Sequence, residues 1–184
     1  MKIKDIFSIS SGLNAKKNPQ GKIYGLQVRD FKDDFSLEQL IQPSLVYSPK
    51  MERHFLHEGD LLMVSKSYTG FRCFVYEENN MKAVATSVFL VLKNALFNVE
   101  PRYVAWYINL KTTQHELLSM SRGSAISSIN MKILGEVDIP MVPIKTQREI
   151  VAVSRLKKAE SDLINEIDLY KTIELEMTLK NIID

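Results

Sequence analysis

Apolar and polar positions fall into two textures along the chain. Up to about Pro143, short apolar runs are broken by Gly, Pro, Asn and Asp, the pattern of a strand-rich domain. Ile23–Val28, Phe55–Val64, Phe71–Tyr76 and Ala83–Leu92 read as strands. The last is almost continuously apolar, as in a strand buried on both faces. Glu58-Gly59-Asp60 marks a turn before Leu61–Val64. Pro101 suits a first-turn position and predicts one helix from about Arg102 to Leu118, with Val104, Trp106, Tyr107, Leu110, Leu117 and Leu118 on its apolar face. Asn130 is a good N-cap for a short helical turn over Met131–Leu134.

From Thr146 to about Ile183 there is neither Gly nor Pro. Apolar residues recur at Ala152, Leu156, Ala159, Leu163, Ile167, Tyr170, Ile173 and Met177, spaced three or four apart as in a coiled-coil seam. A helix of this length extends roughly 55 Å at about 1.5 Å per residue, too far for so small a domain to cover. Part of the stripe is therefore expected to meet another helix, in a second copy or a different protein. The alternative is an amphipathic helix folded back on its own sheet. The expected fold class is α+β, a strand-rich domain with packed helices over 1–144 and one long C-terminal helix over 145–184.

Composition narrows the class without naming a function. At 184 residues, 45% hydrophobic and 25% charged, the sequence is globular. No run of about 18 apolar residues occurs, and Met1-Lys2-Ile3-Lys4-Asp5 lacks the apolar core of a secretory leader. The single cysteine, Cys73, allows no internal disulfide and fits a reducing, cytoplasmic setting. Its apolar surroundings predict a buried structural thiol rather than a nucleophile. Net charge is only +2, but residues 1–144 carry 17 Lys/Arg against 14 Asp/Glu, whereas residues 145–184 carry 7 against 8. The mild positive excess thus belongs to the globular part and permits a phosphate-facing surface.

Catalytic signatures are missing. His54 and His57 stand near Glu58 and Asp60, but their spacing on the expected strand points them to opposite faces and no third ligand follows, so no metal site is expected. There is no Gly-x-Ser-x-Gly elbow, phosphate-binding glycine loop or Asn/Asp-Pro-Pro-Tyr/Phe motif. The chain is not expected to be an enzyme or to carry a cofactor.

Residues 123–151 are more specific. Gly123-Ser124-Ala125-Ile126-Ser127-Ser128-Ile129-Asn130 precedes Ile139-Pro140-Met141-Val142-Pro143 and then Thr146-Gln147-Arg148-Glu149-Ile150-Val151. This order resembles the junction that closes a target-recognition domain in the specificity subunits of type I restriction–modification enzymes. Leu26–Phe31, Gly59-Asp60-Leu61-Leu62, Phe89–Leu92 and Tyr103–Ile108 resemble further pieces of that family in order and spacing. Two departures stand at the junction. Met141-Val142-Pro143 replaces the frequent Pro-Pro pair, and Thr146 replaces the Glu before Gln147. Family members commonly carry two recognition domains and two long helices; one of each is visible here, without an internal repeat.

The resemblance implies a half-length specificity subunit that reads half of a bipartite double-stranded DNA site. Two copies would pair through antiparallel helices along Leu156, Leu163, Ile167, Tyr170, Ile173 and Met177, giving an inverted-repeat target. The implied partners are DNA methyltransferase subunits, which would supply S-adenosylmethionine, and a restriction subunit. A rival reading is an interaction protein that uses the long helix without reading DNA.

A recognition domain needs cations for phosphates and short polar or planar side chains for base edges. The candidate phosphate ligands are Lys16, Lys17, Lys22, Lys50, Arg53 and Lys66, each of which taken singly also suits an ordinary solvated surface. Ser65–Arg72 is expected to be a hairpin connection presenting Lys66, Ser67, Tyr68, Thr69 and Arg72, although Arg72 also suits a strand position paired with a carboxylate. Ser119–Ser128 offers hydroxyls with Arg122 and Ser124 around Gly123; that glycine also suits a helix C-cap.

Overall fold

The structure, a computed structural model, describes residues 1–32, 35–38, 40–77, 81–121 and 126–183. It divides into two compact units, Met1–Arg148 and Glu149–Asp184.

The first unit is built on a four-stranded antiparallel sheet of order β1-β7-β3-β5, made of Ser8–Ser11 (β1), Leu61–Val64 (β3), Cys73–Val75 (β5) and Phe89–Lys93 (β7). Every residue of β3 is buried, because this central strand is covered on both faces. On one face Leu62, Val64, Phe74, Tyr76, Phe89 and Val91 join Leu26, Phe31 and Leu56 in the main cluster. Phe31 stacks on Phe74 at 4.3 Å and meets Phe89 edge-on at 6.0 Å. The alternating residues Leu61, Met63, Cys73, Leu90 and Leu92 are equally buried, and Pro101–Ile108 (α2) packs against β5. Thus α+β is the observed class.

A parallel pair, Tyr24–Leu26 (β2) with Ala83–Ala85 (β6), flanks this sheet. The apolar run expected as one strand over Ala83–Leu92 is therefore two strands in different sheets. The break lies at Thr86, whose backbone N–H and hydroxyl both donate to the Leu26 carbonyl, at 3.0 and 2.7 Å. Phe89 N–H then donates to the Thr86 carbonyl and closes a turn over Ser87 and Val88. Strand Phe55–Val64 likewise shortens to Leu61–Val64, with Phe55 kept as an isolated bridge to Val84. In Glu58-Gly59-Asp60, Gly59 takes the left-handed φ of 86° that the expected turn requires.

The helix expected over Arg102–Leu118 is also two, α2 and Lys111–Met120 (α3). Asn109 ends α2, and Leu110 is extended. Tyr103, Val104, Ala105, Ile108 and Leu117 are the buried apolar positions, joined by Thr113, while Trp106 and Tyr107 are half-buried. The short helix Met131–Gly135 (α4) forms where expected, and Asn130 Oδ1 accepts from Ile133 N–H at 2.9 Å.

The sequence pattern gave no sign of Ile3–Ile6 (α1), which is stitched to the segment after α4. Ile3 N–H donates to the Val137 carbonyl at 3.0 Å, and the Met1 ammonium donates to the Ile139 carbonyl at 2.9 Å. Lys2 and Lys4 both bond Glu136, and those hydrogen bonds hold its carboxyl down at about 2.

The long helix α5 runs from Ile144 to Ile183. Residues 155–183 are all exposed. Lys157–Glu160 at 2.6 Å and Lys158–Asp162 at 2.7 Å are pairs between neighbouring turns of its surface.

Candidate nucleic-acid interface

The two ends of the four-stranded sheet have different chemistry. Ser11 lies opposite Leu90, Val64 opposite Phe89, and Met63 opposite Cys73. The chain leaving β1, the β3–β5 connection and the turn entering β7 therefore gather at one end. Glu58, Asp60, Glu77 and Lys93 flank the other ends of the same strands.

Ser65–Arg72 is the hairpin connection the sequence predicts. One foot is Ser65, whose N–H and hydroxyl both donate to the Val88 carbonyl at 2.9 Å. Its own carbonyl accepts from Ile129 N–H at 2.9 Å. Lys66–Ser67 (β4) then pairs antiparallel with Ser127–Ser128 (β8). The hairpin and the end of the Ser-rich segment thus form one two-stranded unit, a union that spacing alone does not disclose. At the tip, Thr69 N–H donates to Ser67 Oγ at 3.1 Å, Gly70 has φ of 126°, and Tyr68 is 76% exposed. At the other foot, Phe71 is buried, while Arg72 is exposed and precedes the first residue of β5. The Arg72 carbonyl accepts from Val64 N–H at 2.9 Å.

Lys16, Lys17 and Lys22 are exposed in the connection from β1 to β2. That connection is pinned by Leu13 N–H to the Ala85 carbonyl, Asn18 N–H to the Ser44 carbonyl, and an Asx turn from Gln20 N–H to Asn18 Oδ1 at 2.9 Å. Lys50 and Arg53 are exposed on a 3₁₀ turn, Pro49–His54, whose Met51 is buried with Ile23, Leu45 and Val84. Leu13 and Ala15 pack on that same small cluster. The lysine loop and the Lys50/Arg53 turn therefore share one anchor, whereas the hairpin rests on the main cluster through Val64. Arg122 and Ser124 lie outside the described residues. Among the described residues, Lys16, Lys17, Lys22, Lys50 and Lys66 make no ion pair.

At the opposite end the cations are neutralised. Lys93 pairs with Asp60 at 3.4 Å and also donates to the Phe55 carbonyl. Asp60 Oδ2 accepts from His57 N–H at 3.0 Å as well. Arg102 reaches Glu58 at 3.1 Å, Glu77 at 3.3 Å and Glu100 at 3.6 Å. Burial opposes the Arg102 charge, but its bonds to Glu58 and Glu77 and the field of the acidic cluster outweigh that and raise its pKa.

His54 and His57 do not share a strand, as the sequence pattern had suggested. His54 ends the 3₁₀ turn and accepts from Arg53 Nε at 3.2 Å; burial, then Arg53 and Lys93, lower its pKa. No group of three or more metal-binding side chains forms among the described residues. Cys73 is buried, as expected, and burial pushes its thiol up to about 12.

Gln147 of the Thr146–Val151 motif has a role that spacing does not reveal. Its side chain is fully buried: Oε1 accepts from Glu100 N–H at 2.9 Å, and Nε2 donates to the carbonyls of Val142 at 2.8 Å and Asn98 at 3.3 Å. It binds the first turn of α5 to the loop before α2. Tyr103 adds a bond from its hydroxyl to the Pro140 carbonyl at 2.7 Å.

Residues 1–175 match the family model described as the type I restriction modification DNA specificity domain. The chain belongs to that family. As a member of the type I specificity family it also shares a fold with solved subunits. The HsdS subunit from Thermoanaerobacter tengcongensis aligns with TM-score 0.63 at 19% identity, over 89% of this chain and 38% of that one. A chain from a study of complex assembly and conformational transition in the type I system aligns with TM-score 0.65 at 20% identity, over 89% and 39%. The type I S subunit from M. genitalium gives TM-score 0.52 at 17% identity, over 88% and 40%. The chain thus spans about two-fifths of the length of these solved subunits. No curated protein matches it. No helix among the described residues is long and apolar enough to cross a membrane.

Proposed function

We propose that the globular unit reads half of a bipartite duplex site for a type I restriction–modification system, and that the chain works in the cytoplasm as a non-catalytic specificity subunit. The observation that carries this reading is the hairpin joined to Ser127–Ser128 at one sheet end. It sets Lys66, Tyr68 and hydroxyls in solvent, in a member of a DNA-specificity family. Lys16, Lys17, Lys22, Lys50, Arg53 and Arg122 would hold phosphates, and Ser67, Tyr68, Thr69, Arg72 and Ser124 would approach bases or backbone. The chain would need no cofactor; S-adenosylmethionine would sit in a methyltransferase subunit, with a restriction subunit joining it. Two copies would pair through the α5 seam at Leu156, Leu163, Ile167, Tyr170, Ile173 and Met177, which is exposed throughout.

The test is fluorescence anisotropy of a labelled duplex against salt, using the chain with its methyltransferase subunit. Replacing Lys16, Lys17, Lys66 and Arg122 together by Gln should flatten the log–log salt slope by about 3–4, at roughly 0.9 per phosphate contact. An unchanged slope contradicts the proposed surface. The exposed α5 seam also supports a second reading, a helix-mediated interaction protein that does not bind DNA. On that reading the wild-type chain adds nothing to duplex affinity, and the variant keeps all partner binding.

A further inference from the structure

We infer that Gln114 is a positioning residue for base reading by the hairpin; this rests on the DNA-reading assignment above. Strand β5 is an edge of the sheet, so its outer N–H and C=O groups have no neighbouring strand. Two side-chain amides take that strand's place. Asn109 Oδ1 accepts from Cys73 N–H at 3.0 Å, and its Nδ2 donates to the Cys73 carbonyl at 2.7 Å. Gln114 repeats the pair two residues earlier. Its Oε1 accepts from Phe71 N–H at 2.7 Å and its Nε2 donates to the Phe71 carbonyl at 2.9 Å.

The two pairs differ in what they control. Cys73 lies inside the paired strands, opposite Met63 and between residues that bond β3, and that ladder reaches only as far as the bond from Val64 N–H to the Arg72 carbonyl. Phe71 lies beyond it. Gln114 therefore fixes the outer foot of the reading tip from α3, and a further bond from Nε2 to the Ile108 carbonyl at 2.7 Å holds the amide in place. Gly70 fits the same contact. Its φ of 126° favours glycine, and a Cβ there would lie 2.8 Å from Gln114 Oε1. With Ser65 fixing the inner foot, Tyr68 stands between two anchored points.

The experiment compares wild type, Gln114→Met, Gly70→Ala and Asn109→Leu, each as the full chain with its methyltransferase subunit. Selection from a random duplex library is followed by affinity for the selected site against random duplex. Gln114→Met should lower that preference by about tenfold, the size of one lost base-pair reading, and should leave the salt slope unchanged. It should also remove hydrogen-exchange protection from the Phe71 amide. Gly70→Ala reaches the same contact without touching α3 and should reproduce the loss. Asn109→Leu should lower the melting temperature and keep the preference. A folded Gln114→Met or Gly70→Ala protein with wild-type preference overturns the positioning role while leaving DNA reading intact. A wild-type chain that selects no sequence overturns both.

Discussion

In the globular unit Leu61, Leu62 and Met63 have no exposed surface, whereas Leu156, Leu163 and Met177 of the helix are 71%, 60% and 63% exposed. The side chains are of the same kind, and their different fates follow from period and context. In β3 they sit in a central strand with neighbours on both faces. Along α5 they recur every three or four residues on a unit that has no second layer. A single helix buries no face by itself, and most helical stability in proteins comes from packing such a face. The globular unit buries its apolar residues within itself, while the helix leaves its apolar stripe exposed.

The sharpest break of this contrast is to put charge into the helix. Leu163→Asp with Ile167→Asp is expected to abolish self-association, giving monomer by analytical ultracentrifugation with an unchanged urea midpoint for the globular unit. A dimer that survives would place its interface elsewhere. The converse change is Phe74→Ala, which removes a fully buried ring stacked on Phe31 and edge-on to Phe89 at 6.1 Å. It should destabilise the globular unit by about 3–5 kcal/mol in urea unfolding. A loss under about 1 kcal/mol would mean that the site collapses around the cavity.

A smaller effect concerns pH. Lys2 first, then Lys4, hold the Glu136 carboxyl at about 2, below its ordinary 4.5. A depressed carboxylate stabilises the fold above its unfolded pKa, and that contribution fades as pH falls from 4.5 toward about 2. The pair is solvent-exposed, so the change should be modest. Glu136→Gln should flatten the urea midpoint across that window, and a wild-type profile in the variant would remove Glu136 from the account.

What the sequence disclosed was local. The long helix needs only its own repeat, and the Asn130 cap needs only the residues that follow it. The Ser65–Arg72 hairpin showed in two apolar runs flanking a polar tip. What stayed hidden depends on distant partners. The break in the Ala83–Leu92 run has no Gly or Pro to announce it and is made by Thr86 bonding Leu26, 60 residues away. The division of the expected helix coincides with Asn109, whose side chain is committed to Cys73. Lys66–Ser67 and Ser127–Ser128 carry no apolar alternation, so nothing local marks them as paired strands. Gln147 was visible as a motif residue, but its three partners lie in loops whose approach only the folded chain provides. Among the candidate ligands, residue type was legible and grouping was not. The hairpin joins the Ser-rich segment, while Lys50 and Arg53 are anchored with the lysine loop on the smaller cluster.

The most direct measurement is selection from a random duplex library, using this chain mixed with its methyltransferase subunit at moderate salt. The account predicts recovery of two short inverted half-sites at fixed spacing. No enrichment, with the complex shown to be intact, would contradict it.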